Sequence, residues 1–210
     1  MAAPGEVLAL FATCIHRAEL AAEPGAPALL ADLEAACRVY AEEDRAGRAW
    51  SRAHGYRGYT SYASLNDLPR RDPAFAALKR RLDRHAAAFA DALAFDLRGR
   101  PLRLDSLWIN LLRGGGAHSG HIHPHSVLSG TLYLAVPPGS GGIRFEDPRL
   151  SRMMAAPPRR SDAPEDLRTF VTVTPRPGIL LLWESWLRHE VLPHTGRAER
   201  ISVSFNYAWR

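Results

Sequence analysis

The spacing of apolar residues changes character near Pro101. Upstream of it, leucines and alanines recur at helical intervals. The stretch Ala28-Leu-Leu-Ala-Asp-Leu-Glu-Ala-Ala-Cys-Arg-Val-Tyr40 predicts a helix from Pro27 to Arg45, with Gly47 placed to end it. Asp72-Pro73 supplies an N-cap and a proline at the first helical position, and Phe75, Leu78, Leu82, Phe89 and Leu93 continue that face as a second helix, ended by Arg98-Gly-Arg-Pro101. The run from Val7 to Ile15 is almost continuously apolar; continuity alone does not choose between helix and strand, and strand is the preferred reading. Between Trp50 and Arg71 the chain is rich in Tyr, Ser and Gly without a clear period, which reads as a loop able to reach a site.

Downstream the period shortens. Leu104 to Leu112, Leu128 to Val136, Thr169 to Thr174, Ile179 to Trp183 and Ile201 to Trp209 read as strands separated by turn residues, and Ser151 to Arg168, rich in Pro, Arg, Ala and Asp, reads as the longest interior loop. Helices first and strands afterwards make an α+β chain, with an antiparallel sandwich or barrel covered by the helices.

Composition adds exclusions more than assignments. Hydrophobic residues make up 46% and charged residues 23% of 210 residues, the balance of a folded globular chain with one core and an N-terminal extension. A formal charge of +5 raises the question of nucleic acid, but Arg70-Arg71, Lys79-Arg80-Arg81 and Arg159-Arg160 are short and separated by apolar sequence, so no nucleic-acid partner is expected. Cys14 and Cys37 fit no metal or disulfide spacing and are expected as buried thiols in a reducing compartment. No run is long enough to span a bilayer, and no positive charge precedes the first apolar stretch; a cytoplasmic enzyme with no membrane partner is the expectation, a homodimer being one arrangement open to it.

Four of nine histidines fall within eight residues, His118-Ser-Gly-His121-Ile-His123-Pro-His125. On a strand, residues two apart share a face about 6.6 Å from each other, a span that two imidazoles can close onto one ion, so His121 and His123 can share a metal. His121 and His125 would lie about 13 Å apart, too far for one ion, and Pro124 interrupts the strand. His118 lies an odd number of residues from His121 and would face away unless the preceding glycines bend it back, which leaves it as a substrate-side candidate. Far downstream, Trp186-Leu-Arg-His189 offers a third imidazole, and Arg200-Ile-Ser-Val-Ser-Phe-Asn206 alternates, with Arg200, Ser202, Ser204 and Asn206 on one face and Ile201, Val203, Phe205 and Tyr207 on the other. Arginine's planar fork beside a serine suits the distal carboxylate of a diacid.

Taken in order, the His-x-His-Pro segment, Ser129-Gly-Thr-Leu-Tyr-Leu134, Phe145-Glu-Asp-Pro-Arg149, Pro177-Gly178, Trp183-Glu-Ser-Trp-Leu-Arg-His189 and the Arg200 strand resemble the 2-oxoglutarate/Fe(II) oxygenases of bacteria, over roughly Leu104 to Asn206. The resemblance implies a double-stranded β-helix, a jelly-roll or cupin-like barrel, in residues 101–210. Residues 1–100 would be a mainly helical extension packed on one sheet, and the whole chain, 1–210, one oxygenase domain. It implies Fe(II) on His121, His123 and His189, and 2-oxoglutarate as co-substrate on Arg200 and Ser202, with Tyr133, Thr131 and Asn110 as further pocket residues. His118, His125, Trp183 and Trp186 would stand on the substrate side. The wider superfamily places a carboxylate where His123 stands, so the third ligand departs from its pattern.

The reaction implied is oxidative decarboxylation of 2-oxoglutarate to succinate, using O2, coupled to hydroxylation or related C–H oxidation of a small-molecule, amino-acid-like or peptide substrate. The loop from Ser151 to Arg168 and the segment from His54 to Tyr62 would cover the mouth. Two other readings stay open: a three-histidine Fe(II) cupin-type dioxygenase without 2-oxoglutarate, which leaves Arg200 and Ser202 unexplained, and a non-catalytic barrel that only binds ligands.

Overall fold

The computed structural model describes residues 5–210. Among the described residues ten strands form two antiparallel sheets. The larger has the order β1-β8-β5-β10-β3-β2, with β1 at Ile15–Glu19, β2 at Gly58–Thr60, β3 at Leu102–Leu112, β5 at Leu128–Ala135, β8 at Ile179–Glu184 and β10 at Arg200–Trp209. The smaller has the order β4-β9-β6-β7, with β4 at His118–His121, β6 at Ile143–Glu146, β7 at Phe170–Val173 and β9 at His189–Val191. From β3 to β10 the chain passes repeatedly between the sheets, which is the winding of a double-stranded β-helix.

Alternation along the strands of the larger sheet sorts its two faces. Leu128 and Leu132 of β5, Leu180 and Leu182 of β8, and Ile201, Val203, Phe205 and Tyr207 of β10 pack outward. They meet Leu29, Leu33 and Cys37 of α1 (Ala26–Glu43) and Phe75, Leu78, Leu82 and Phe89 of α4 (Pro73–Ala92) in one core. The intervening residues point inward, where Tyr133, Ile179, Leu181 and Trp183 join Ile143 and Phe145 in a smaller cluster between the sheets. The helices therefore brace the larger sheet from behind and leave its inner face for the site.

The N-terminal third departs from expectation at several points. Residues 5–14 form no strand and are mostly exposed; the first strand begins at Ile15 and edges the larger sheet through β8, because the backbone groups of Ile15–Glu19 are completed by Trp183 to Ile179. Gly47 does not end α1. A second helix, α2 (Arg45–Ala53), starts at Asp44, whose side chain accepts from Gly47 N at 2.9 Å, and a Cβ on Gly47 would stand 2.2 Å from Asp44 Oδ2. The segment read as loop from Trp50 to Arg71 holds the end of α2, strand β2 and the short α3 (Leu68–Arg71). Asp72 caps α4, accepting from Ala74 N at 2.7 Å. Cys37 is buried and its thiol pKa is pushed up by that burial, whereas Cys14 is exposed. Among the described residues no helix is long and apolar enough to cross a membrane.

Candidate metal centre and its cavity

A cavity of about 540 Å³ opens between the sheets, and its polar lining follows from strand register. On β10 the inward residues are Arg200, Ser202, Ser204 and Asn206. Ser202 stands opposite Asn110 of β3 and Tyr133 of β5, Ser204 opposite Thr131, and Asn206 opposite Ser129. Three neighbouring strands thus aim their polar sets into one space.

The smaller sheet supplies the imidazoles. His121 of β4 and His189 of β9 are register partners, and their rings lie 4.5 Å apart. The strand ends at His121, so His123 does not share its face by strand alternation as spacing suggested. His123 N instead donates to Ser185 O at 3.0 Å, and this turn carries the ring back, 5.1 Å from both His121 and His189. One candidate ligand atom from each of the three lies within 4.8 Å of the others.

The hydrogen bonds at the other ring nitrogen fix the tautomers. His121 Nδ1 lies 2.7 Å from Ser119 O, His189 Nδ1 2.9 Å from Leu187 O, and His123 Nδ1 2.6 Å from Asn206 Oδ1. Each of these oxygens only accepts, so each Nδ1 carries a proton, and in the neutral ring the lone pair is on Nε2. Asn206 is itself oriented, its Nδ2 donating to Ser106 Oγ at 3.1 Å and its Oδ1 accepting from Ser129 Oγ at 2.8 Å. Burial holds His189 down to about 3, and burial likewise lowers His123, against the opposing effect of its bond to Asn206. Three imidazoles held by Nδ1, each with Nε2 available to a ligand, are a donor set that fits a first-row divalent ion.

Deeper in the cavity, Arg200 is 2% exposed and its guanidinium sits 5.0 Å over the Tyr133 ring. Arg200 Nε and Tyr133 OH are both buried without a hydrogen-bond partner, and among the described residues no carboxylate pairs with Arg200. A buried cation left open in this way is costly unless a ligand completes it. Thr131, Ser202 and Asn110 line the same space. A planar carboxylate is the group whose shape and charge suit this end.

Other expected residues divide. His118 turns into the cavity, because a register irregularity between His118 and His121 breaks the alternation that would have faced it away. Its Nε2 lies 3.0 Å from Tyr56 OH, and burial, with a contribution from Arg200, lowers it to about 4. Gly115, at φ +82°, takes the left-handed turn that starts this strand. His125 lines the exposed rim, and Trp183 is a buried wall 4.7 Å from His189. Trp186, 47% exposed, is outside the lining. So is the whole loop from Ser151 to Arg168, which the cavity does not touch. Trp108, which the sequence also offered as lining the barrel mouth, is in the lining, whereas sequence reasoning missed Tyr56, Thr60 and Trp50 as named cavity residues, and Ser129 and Asn206 as supports of His123. Thr60 Oγ1 and Tyr56 OH both donate to Asn110 Oδ1, at 3.0 and 3.2 Å, which ties the unpatterned segment to the pocket.

Residues 106–206 match the model of a family described as "Putative 2OG-Fe(II) oxygenase". Among solved structures, a prolyl-4-hydroxylase from Pseudomonas putida is similar over 93% of this chain and 93% of its own, at 19% identity and a TM-score of 0.61. The epimerase SnoN, solved in complex with Fe3+, alpha ketoglutarate and nogalamycin RO, is similar over 93% of this chain and 79% of its own, at 18% identity and a TM-score of 0.64. HygX from Streptomyces hygroscopicus, solved with nickel and 2-oxoglutarate, covers 94% of this chain and 82% of its own, at 17% identity and a TM-score of 0.56. At these identities the likeness shows a common fold, and no curated protein sequence matches the chain. The matched residues, just under half of the chain, include His121, His123, His189 and Arg200, so the part of the chain that carries the imidazoles and the buried arginine is the part similar to the 2OG-Fe(II) oxygenase family.

Proposed function

We propose that His121, His123 and His189 hold Fe(II), that Arg200 and Tyr133 receive the distal carboxylate of 2-oxoglutarate, and that the chain, acting as one catalytic unit, couples succinate formation to hydroxylation of a C–H bond. The observation that carries this is the joint content of one cavity: three imidazoles protonated on Nδ1 with free Nε2 lone pairs, beside a buried, unpartnered arginine.

When bound, the metal with 2-oxoglutarate supplies the oxidising chemistry, one oxygen atom of O2 going to succinate and the other to the substrate. The protein's part is positioning. The carbonyls of Ser119 and Leu187 and the amide of Asn206 lock each imidazole in its ligating tautomer. Arg200 completes a charge-assisted pair with the co-substrate, and Ser202, Thr131 and Asn110 offer it hydrogen bonds. Leu181, Trp183 and Ile143 close the interior against water.

A three-histidine dioxygenase without 2-oxoglutarate would share the imidazoles, but it gives the open Arg200 Nε no occupant. His121→Ala and His189→Ala should each lower 2-oxoglutarate-dependent succinate formation by about a hundredfold or more. Turnover within a few-fold of the parent in either variant would overturn the proposal.

A further inference from the structure

The outer half of the cavity differs from its floor. Trp50 of α2, Tyr62 just after β2 and Trp108 of β3 all line it, and they form a file of rings leading inward. Trp50 lies 6.5 Å from Tyr62, Tyr62 lies edge-on to Trp108 at 5.3 Å, and Trp108 is 6.0 Å from His123. Tyr62 is 58% exposed, Trp50 is half-buried and Trp108, next to His123, is 8% exposed. One face of Trp50 is covered by His54, stacked at 4.1 Å and 18°, and His54 is not part of the lining, so another part of the indole meets the cavity. Ile122 and Pro124 add exposed apolar surface to the same mouth.

The charges are as telling as the rings. Among the described residues that line the cavity there is no carboxylate and no lysine; Arg200 is the single permanent charge, and it lies at the floor. A charged substrate would shed its hydration at this mouth and meet no counter-charge. A polyol such as a sugar would meet at this mouth mainly the rings of Trp50, Tyr62 and Trp108 and the apolar Ile122 and Pro124, the polar row of β10, β3 and β5 lying further in. A flat ring would instead bury its faces and edges against the indoles and the phenol, in offset or edge-to-face geometries, the latter being the one Tyr62 adopts with Trp108. The arginine-bearing loop from Ser151 to Arg168 stands outside the cavity and brings it no further charge.

We infer that the oxidised substrate is a neutral molecule carrying a planar aromatic ring system, held by Trp50, Tyr62 and Trp108 with its reacting carbon toward the three histidines. This rests on the oxygenase reading of the same cavity and names its substrate class.

Calorimetric titration of the full chain with four probes tests it: 2-naphthol, its saturated non-planar counterpart decahydro-2-naphthol, the anion 2-naphthoate, and methyl glucoside. The expected result is that 2-naphthol binds at least about tenfold more tightly than any of the other three. Trp50→Ala and Tyr62→Ala should each weaken naphthol binding by about fivefold or more, while Trp50→Phe, which keeps a ring, stays within about twofold of the parent. Thermal melting of each variant establishes that it is folded. Equal binding of the saturated alcohol, tighter binding of the anion or the glucoside, or parental naphthol affinity in folded Trp50→Ala and Tyr62→Ala would overturn the inference. Absorption of the parent with Fe(II) and 2-oxoglutarate separates the two claims. Selective naphthol binding without a charge-transfer band supports the aromatic slot and removes the oxygenase; a band without naphthol selectivity removes the slot alone.

Discussion

The two sheets of this barrel do different work. The larger one has strands of up to eleven residues, is backed by α1 and α4, and turns a continuous polar row inward from β10, β3 and β5. The smaller one has strands of only three or four residues and a core cluster shared with the metal-site walls, yet it supplies His121 and His189. Rigidity and the carboxylate end of the cavity come from the first, and the imidazoles come mainly from the second. The same kind of substitution should therefore be felt differently on the two sides.

The sharpest way to break that contrast is one change made in both sheets. Phe205 of β10 is fully buried in the helix-backed core, so Phe205→Ala should cost about 3–5 kcal/mol in urea unfolding. Phe145 of β6 is the register partner of His189 and lies edge-on to Trp183 at 5.3 Å. Phe145→Ala should show itself as roughly tenfold weaker Fe(II) binding, through a loosened His189. If both variants lost stability alone, the division between the sheets would fail.

A smaller effect is expected at the bridge between them. Asn206, on the larger sheet, fixes the proton on His123, so Asn206→Ala should weaken Fe(II) binding by about tenfold, with the unfolding midpoint little changed. Parental metal affinity in that variant would remove His123 from the ligand set or Asn206 from its support.

The pH dependence of the metal-free protein gives the smallest signal. His189 is held at about 3 and His118 at about 4 in the fold, both chiefly by burial, while the unfolded chain takes up these protons near pH 6.5. Their contribution to stability is present above pH 6.5 and is lost as pH falls toward the folded values, because the unfolded state then binds more protons. The melting temperature should drop by roughly 5 °C or more between pH 8 and pH 5. An unchanged melting temperature across that interval would contradict the burial of neutral imidazoles.

The contrast also explains what the sequence made legible. Strands β3, β5, β8 and β10 are long enough for alternation to show, and the polar face of Arg200, Ser202, Ser204 and Asn206 could be read directly. Strands β4, β6 and β9 are too short to show a period, so of the sheet that carries two of the histidines only β7, inside Thr169 to Thr174, was legible as a strand by its pattern. His123 was reached by a spacing argument whose strand ends two residues early; a turn pinned to Ser185 brings the ring in. Tyr56, Thr60 and Trp50 belong to a segment whose role depends on partners at Asn110 and His118, some fifty to sixty residues away, which local pattern cannot supply. Gly47 misled because its requirement is tertiary: Asp44 and Ser64 crowd the place of its Cβ.

The central claim is that one cavity holds both an iron site and a 2-oxoglutarate site. Anaerobic addition of Fe(II) and then 2-oxoglutarate, followed by visible absorption, tests it most directly. The account predicts a charge-transfer band that saturates at one equivalent of each and is lost in Arg200→Ala at the same concentrations. No band in the parent protein, or a band that Arg200→Ala leaves unchanged, would contradict it.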